Sequence, residues 1–137
     1  MPKTITLKGD FIRKEGEASA AITPGDLVEF GGANDLQVHA TVGGQARKAF
    51  ALENDLIGKG IDDAYAAGDT VQYGVFVPGA EVYCRLTASE TCTKGDFLES
   101  GGNGRLQVSS TPVEGSNVAV ALETQASAGG RVKVEVL

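Results

Sequence analysis

Tryptophan is absent from this chain of 137 residues, and histidine and methionine occur once each. Aromatic residues make up only 6% of the sequence, so it has few of the rings that sugar-binding platforms use. Lysine and arginine are also scarce, with 12 against 18 acidic residues and a net charge of −6. Because binding to a phosphate backbone needs clustered cations, this balance argues against nucleic acid as a partner.

Long apolar runs are missing as well. No segment approaches the roughly 20 apolar residues that span a bilayer, and the first ten residues lack the apolar core of a signal peptide. We therefore expect no membrane partner and synthesis in a cytoplasm. Cys84 and Cys92 lie eight residues apart, which matches no Cys-x-x-Cys metal or redox spacing. A disulfide between them stays open, although a reducing compartment favours free thiols.

Glycine is abundant, with 19 residues, and the sequence repeats itself. Residues 22–41 align without a gap on residues 92–111, an offset of 70, with ten identical pairs in twenty. Unrelated pairing would give about one or two identities. After the match of 49–53 with 119–123, residues 66–76 align on 127–137 at an offset of 61.

This pattern predicts a single domain, residues 1–137, built from two related halves. In chain order, the predicted parts are an N-terminal arm (1–14), a first half (22–76) with an insertion (56–64), a connector (77–91) and a second half (92–137).

Short alternating segments and turns predict an all-β fold. A turn motif of Gly-Asp followed by an apolar residue two positions later occurs at Gly25, Gly68 and Gly95, and each copy should open a strand. The tail has the clearest period of two, because Val132, Val134 and Val136 alternate with charged residues. About ten short strands are typical of a compact barrel or a sandwich, and the pattern leaves that choice open.

No constellation of residues points to catalysis. His39 is the only histidine, and a half-exposed strand position explains it more simply than a general base or a metal ligand. No serine lies in a Gly-x-Ser-x-Gly turn. Four carboxylates near the insertion are better explained as solvated surface charge than as a Ca²⁺ site: Glu53, Asp55, Asp62 and Asp63. We predict a protein that is not an enzyme, with no catalytic residues, no metal and no cofactor.

Five segments resemble the head decoration proteins of tailed bacteriophages, also called capsid cement proteins. The segments are residues 3–14, 20–28, 58–71, 119–123 and 131–137. The resemblance implies a small acidic module, β-tulip-like or jelly-roll-like, that binds the outer surface of an expanded icosahedral head and stabilises it by bridging capsomers. It also implies the major capsid protein as partner, a homo-oligomer with a trimer favoured over a dimer, and a place on the virion exterior after synthesis in the bacterial host.

Two segments are predicted to contact the capsid. The segment Pro2 to Arg13 alternates and has no acid before position 10, so it could add backbone hydrogen bonds to a shell strand. An ordinary edge strand of its own fold explains it equally well. The insertion is absent from one half and is therefore free to serve a partner. The predicted capsid-binding residues are Lys3, Thr4, Ile5, Thr6, Leu7, Lys8, Arg13, Ile57, Lys59 and Ile61.

A carbohydrate- or host-surface-binding module of a virion is the alternative function. Such a module needs exposed aromatic rings, so the exposure of Tyr65, Tyr73 and Tyr83 distinguishes it. A small β-barrel enzyme is a third hypothesis, but the sequence offers no pairing of acid, base and nucleophile to support it.

Overall fold

A computed structural model describes residues 2–110 and 115–137 of the chain. This part contains a single 3₁₀ turn, Asp55–Ile57, and eleven strands. The strands are β1 (Thr6–Lys8), β2 (Phe11–Glu17), β3 (Val28–Phe30), β4 (Leu36–Val38), β5 (Ala49–Ala51), β6 (Thr70–Phe76), β7 (Glu81–Arg85), β8 (Phe97–Ser100), β9 (Leu106–Val108), β10 (Asn117–Ala121) and β11 (Arg131–Val136). The all-β prediction is confirmed. Across the described ranges, no helix has the length and apolar character needed to cross a membrane.

The strands form three antiparallel sheets. The largest has the order β1-β7-β11-β10-β8-β9, the second has the order β2-β6-β5, and β3 pairs with β4 in the third. Each sheet ends in edge strands, so none of them closes on itself within the described part of the chain. Of the two predicted architectures, the described strands therefore form packed open sheets and not a closed barrel.

The two hairpins repeat the same register at an offset of 70. In β3–β4, Glu29 lies opposite Gln37, and in β8–β9, Glu99 lies opposite Gln107. In both hairpins the glutamine amide donates a hydrogen bond of 2.9 Å to the glutamate carboxylate. The sequence identity at these positions therefore preserves a cross-strand pair, which is the unit of sheet stabilisation.

Strand pairing extends the repeat beyond the segments that align in sequence. Glu17 of β2 lies opposite Thr70 of β6, and Arg85 of β7 lies opposite Arg131 of β11. These pairs are related by offsets of 68 and 61, so β2 occupies in the first half the place of β7 in the second. Strand β2 begins within the predicted arm (1–14), and β7 lies within the predicted connector (77–91).

The Gly-Asp turns lead into strands as predicted. Gly25 has φ of +93°, a backbone conformation that glycine adopts without steric cost. In each turn the aspartate carboxylate accepts a hydrogen bond from the backbone N–H three residues earlier, which fixes the turn before the strand begins. The three bonds are Thr23 to Asp26 (2.9 Å), Ala66 to Asp69 (2.9 Å) and Thr93 to Asp96 (2.8 Å).

Buried side chains form two clusters. The larger one joins the halves, because Leu27, Phe50 and Phe76 of the first half pack with residues such as Val134 and Val136 of the second. The smaller one belongs to the first half and combines residues of the β2-β6-β5 sheet with residues of the β3–β4 hairpin. The inter-half cluster is therefore the main source of hydrophobic stabilisation.

Candidate functional site

The predicted contact segment at the N-terminus begins with a buried anchor. The side chain of Ile5 is fully buried, its N–H donates to the Glu53 carboxylate at 2.9 Å, and its carbonyl accepts from the Tyr83 N–H at 2.8 Å. A side chain enclosed in this way is not available to a partner. Its burial therefore disfavours the prediction of Ile5 as a capsid-binding residue, and Ile5 ties the segment to the fold.

The residues around this anchor are accessible. Lys3 and Thr4 are exposed ahead of β1, Thr6 and Leu7 are half-buried, and Lys8 is exposed at the end of the strand. Strand β1 pairs with β7 on one side and forms the edge of the largest sheet. The edge-strand interpretation of the arm therefore describes Thr6–Lys8, and its free edge retains the backbone groups that strand addition requires.

Arg13 lies in β2, which is the edge strand of the second sheet. Its Nη1 lies 4.0 Å from Oδ1 of Asp55, next to the insertion, and both side chains are well exposed. An ion pair in this setting contributes little to stability because water screens it. The guanidinium is therefore free to exchange Asp55 for a partner's carboxylate.

The insertion presents apolar side chains to solvent. Ile57 is 66% exposed and Lys59 is exposed, whereas Ile61 is half-buried against the inter-half cluster. Leu56, at 74%, is the most exposed large apolar residue of the described chain, and the residue-level prediction omitted it although the predicted insertion begins there. Exposed aliphatic side chains on a loop are a common feature of contact surfaces.

Arg131 of β11 holds the insertion in place. Its Nη2 donates to the Ile61 carbonyl at 2.7 Å and lies 3.4 Å from the Asp62 carboxylate, and its Nη1 donates to the Pro24 carbonyl at 2.9 Å. The arginine side chain is 12% exposed, so its bond to the Ile61 carbonyl is partly shielded from water, whereas the Asp62 carboxylate is 88% exposed. The insertion is therefore bound to β11 of the largest sheet.

The structure brings the two predicted segments together. A groove of about 440 Å³ is lined by Pro2 and Lys3 on one side and by Gly60 to Asp63 on the other. We call residues 2–8 together with 56–63 the arm–loop surface. Its charges are mixed, because it contains Lys3, Lys8 and Lys59 as well as Asp62 and Asp63, so it suits a partner that offers both apolar and polar groups.

His39 has a structural role. It is 2% exposed, its Nδ1 lies 2.6 Å from Oγ of Ser100 in the other half, and its Nε2 lies 2.8 Å from the Gln45 carbonyl. Glu29 is 3.7 Å from Nε2, but Ser100 is fully buried and no substrate can reach its hydroxyl. The expectation of a half-exposed His39 is wrong, and the imidazole joins the halves.

The cysteines and tyrosines, which the sequence offers for chemistry or ligand binding, are buried. Cys84 and Cys92 are free and buried, and burial raises the pKa of both thiols. The three tyrosines Tyr65, Tyr73 and Tyr83 are at most 5% exposed, so none offers an open ring to a sugar. In the parts of the chain that the structure describes, no group of three or more His, Cys, Asp or Glu residues is placed to hold a metal ion.

These features define an all-β protein in which the N-terminal segment and the insertion together line a groove. No protein-family model matches the sequence, and no curated protein matches it. Among solved structures, the chain is similar to the N base of the head fiber protein gp8.5 of bacteriophage phi29, with a TM-score of 0.64 and 14% identity. The match covers 93% of this chain and 95% of that chain, so the two share their fold along nearly the full length.

Proposed function

We propose that this chain is a structural protein of a bacteriophage virion. The observation that carries the proposal is the full-length fold similarity to the head fiber base of phage phi29. Fold alone does not specify function. The sequence resemblance to tailed-phage head decoration proteins supports the same class of protein.

More specifically, we propose that the protein decorates the outer surface of the head and bridges capsomers by binding the major capsid protein. The arm–loop surface supplies the side-chain contacts, in particular Leu56, Ile57 and Lys59, which are exposed on an anchored loop. A single arm and loop bury too little area for tight binding. A homo-oligomer, which we expect to be a trimer, multiplies these contacts through effective concentration.

The open edge of β2 supplies the backbone contacts of the proposal. Its counterpart β7 is paired on both sides, with β11 on one and β1 on the other, whereas β2 pairs only with β6 along Phe11–Gly16 in the described structure. In β7 the Tyr83 N–H donates to the carbonyl of Ile5, the residue just before β1. Glu15 is the equivalent of Tyr83, so its N–H points to the open edge and can donate to a shell strand in the same way.

The tyrosine burial described above disfavours the carbohydrate-binding alternative. Host-surface binding through other residues would give a different experimental result, namely retention on host cells with indifference to heads.

The experiment is co-sedimentation of purified protein with expanded heads that lack it. We expect saturable binding, and we expect Glu15→Pro to weaken it at least tenfold because proline removes the outward N–H. Proline is tolerated on edge strands, so the fold should persist, as circular dichroism would verify. The matched control Glu15→Ala keeps the N–H and should bind like the wild type.

Absence of saturable binding by the folded wild type would refute the decoration function. Equal loss of binding in Glu15→Pro and Glu15→Ala would instead refute strand addition at β2. A third variant, Leu56→Ser with Ile57→Ser, tests the arm–loop surface, and unchanged affinity there would remove the insertion from the proposed contact.

A further inference from the structure

The interface between the two halves has two sides. On the first half, Leu27, Phe50 and Phe76 point into the inter-half cluster and are at most 4% exposed. On the other side, Ala80 of the segment 77–91 and Ser100 and Val136 of the second half are each at most 1% exposed. Ala80 and Val136 belong to the inter-half cluster, and Ser100 contacts His39 of the first half. We call the first set the inserting strip and the second set the receiving strip.

The repeat gives the second half its own inserting strip. The pair Leu27 and Phe50 corresponds at an offset of 70 to Phe97 and Val120, which lie opposite each other in β8 and β10. Phe76 corresponds at an offset of 61 to Leu137. These three residues are also apolar, yet Phe97 is 42% exposed, Leu137 is 37% exposed and Val120 is half-buried.

The first half likewise has its own receiving strip. Ala80, Ser100 and Val136 correspond to Ile12, Phe30 and Val75, at offsets of 68, 70 and 61. Ile12 and Val75 lie opposite each other in β2 and β6. Ile12 is 64% exposed and Phe30 is 67% exposed, although both are larger and more apolar than the buried residues they match.

The charges around the two open strips are opposite. Next to the receiving strip, Lys14 lies two residues beyond Ile12 in β2, and the Arg47 guanidinium covers the Phe30 ring at 4.2 Å from its centre. Next to the inserting strip, Val120 lies opposite Glu135, which lies opposite Glu81. Among residues 2–110 and 115–137, neither glutamate forms an ion pair within 4.0 Å, although Lys8 of β1 lies opposite Glu81. Two like charges therefore face each other across β7 and β11, with one lysine beside them on β1.

We propose that two copies of this chain associate head to tail, with the open inserting strip of one copy (Phe97, Val120, Leu137) seated on the open receiving strip of the next (Ile12, Phe30, Val75). The contact continues between chains the interface that already joins the halves within one chain. Lys14 and Arg47 of one copy then approach Glu81 and Glu135 of the other. A contact between two different surfaces is heterologous, so it closes into a ring if the rotation permits and otherwise extends.

This arrangement names the surfaces of the homo-oligomer that the proposed function includes, but it does not depend on capsid binding. It is measured on the purified protein without any head, so failure of the association and failure of the decoration function are separate results.

The experiment measures mass in solution by light scattering and native mass spectrometry. We expect the wild type to be oligomeric at micromolar concentration. The receiving variant (Ile12→Glu, Phe30→Glu) and the inserting variant (Phe97→Glu, Leu137→Glu) should each be monomeric, because the changed side chains are exposed in the monomer and meet a desolvated apolar surface in the contact. The control Val42→Glu, at a 63% exposed position outside both strips, should keep the wild-type mass.

Mixing the two monomeric variants distinguishes a heterologous contact from a symmetric one. Each variant retains one intact strip, so an equimolar mixture should give a species of twice the chain mass and nothing larger. A symmetric contact would give only monomers in the mixture, and a monomeric wild type at 100-fold higher concentration would overturn the proposal outright.

Charge exchange provides a test that leaves the apolar strips unchanged. Lys14→Glu should weaken association at least tenfold, and Lys14→Glu combined with Glu135→Lys should recover it. No recovery, with circular dichroism showing both variants folded, would contradict the proposed alignment of the strips.

Discussion

Individual residues differ in role even where the repeat makes them equivalent. Asp26 and Asp96 form the same turn bond, but Asp26 is 3% exposed and accepts a second bond from Arg85 Nη1 at 2.9 Å, whereas Asp96 is half-exposed. The sequence predicts the turn from the Gly-Asp pair. It does not predict the ion pair, because Arg85 lies 59 positions away and is brought close only by packing.

This difference predicts unequal costs of truncation. Asp26→Ala should lower the free energy of unfolding by about 3 kcal/mol, because it leaves the Arg85 charge and the Thr23 N–H without their partner in a buried site. Asp96→Ala removes one exposed turn bond and should cost about 1 kcal/mol. Denaturant unfolding of both variants measures the difference, and equal costs would show that the Arg85 contact contributes nothing.

Asp26 also predicts a dependence on pH. Desolvation by burial raises its pKa above the ordinary value of 3.8, even though the Thr23 N–H and Arg85 oppose the shift. Between 3.8 and the raised pKa, the folded state binds more protons than the unfolded state, so the free energy of unfolding falls as pH rises through that window. The free energy of unfolding of the wild type, minus that of Asp26→Asn, should therefore decrease as pH rises through this window. An increase would refute the raised pKa of Asp26.

Secondary-structure elements were predictable where turns and alternation mark them. The hairpins at β3–β4 and β8–β9 follow from their Gly-Gly pairs, and β11 follows from its alternating valines. The equivalence of β2 and β7 was not predictable, because none of the nine positions 11–19 matches its counterpart in 79–87. Strand pairing is made by backbone groups, so it persists after side-chain similarity has disappeared.

Strand β1 provides a test of how the N-terminal segment is anchored. Deleting residues 1–4 removes the exposed side chains of Lys3 and Thr4 and no buried side chain of the described residues, so it should change the free energy of unfolding by less than about 0.5 kcal/mol. Deleting residues 1–8 also removes the buried Ile5 side chain and the pairing with β7. This deletion should lower the free energy of unfolding by about 2–5 kcal/mol. Urea titrations of both truncated chains measure this, and similar midpoints would mean that β1 does not stabilise the fold.

The complete fold is a pair of related halves whose main core lies between them. The sequence repeat predicts two similar units, but it does not reveal that their junction is asymmetric. Phe50 is fully buried in the junction, while its equivalent Val120 is half-buried on the outer face. That asymmetry depends on how the halves pack against each other. It cannot be predicted from either copy of the repeat alone.

Because the junction supplies the larger cluster, the halves should unfold together. Phe50→Ala should lower the free energy of unfolding by about 3–5 kcal/mol, since it opens a cavity among residues of both halves, whereas Val120→Ala should cost below about 1.5 kcal/mol. In calorimetry, the wild type and Phe50→Ala should each unfold in one transition whose calorimetric and van't Hoff enthalpies are equal. Two separated transitions, with only the first shifted by Phe50→Ala, would mean that each half is stable alone and that the inter-half cluster does not couple them.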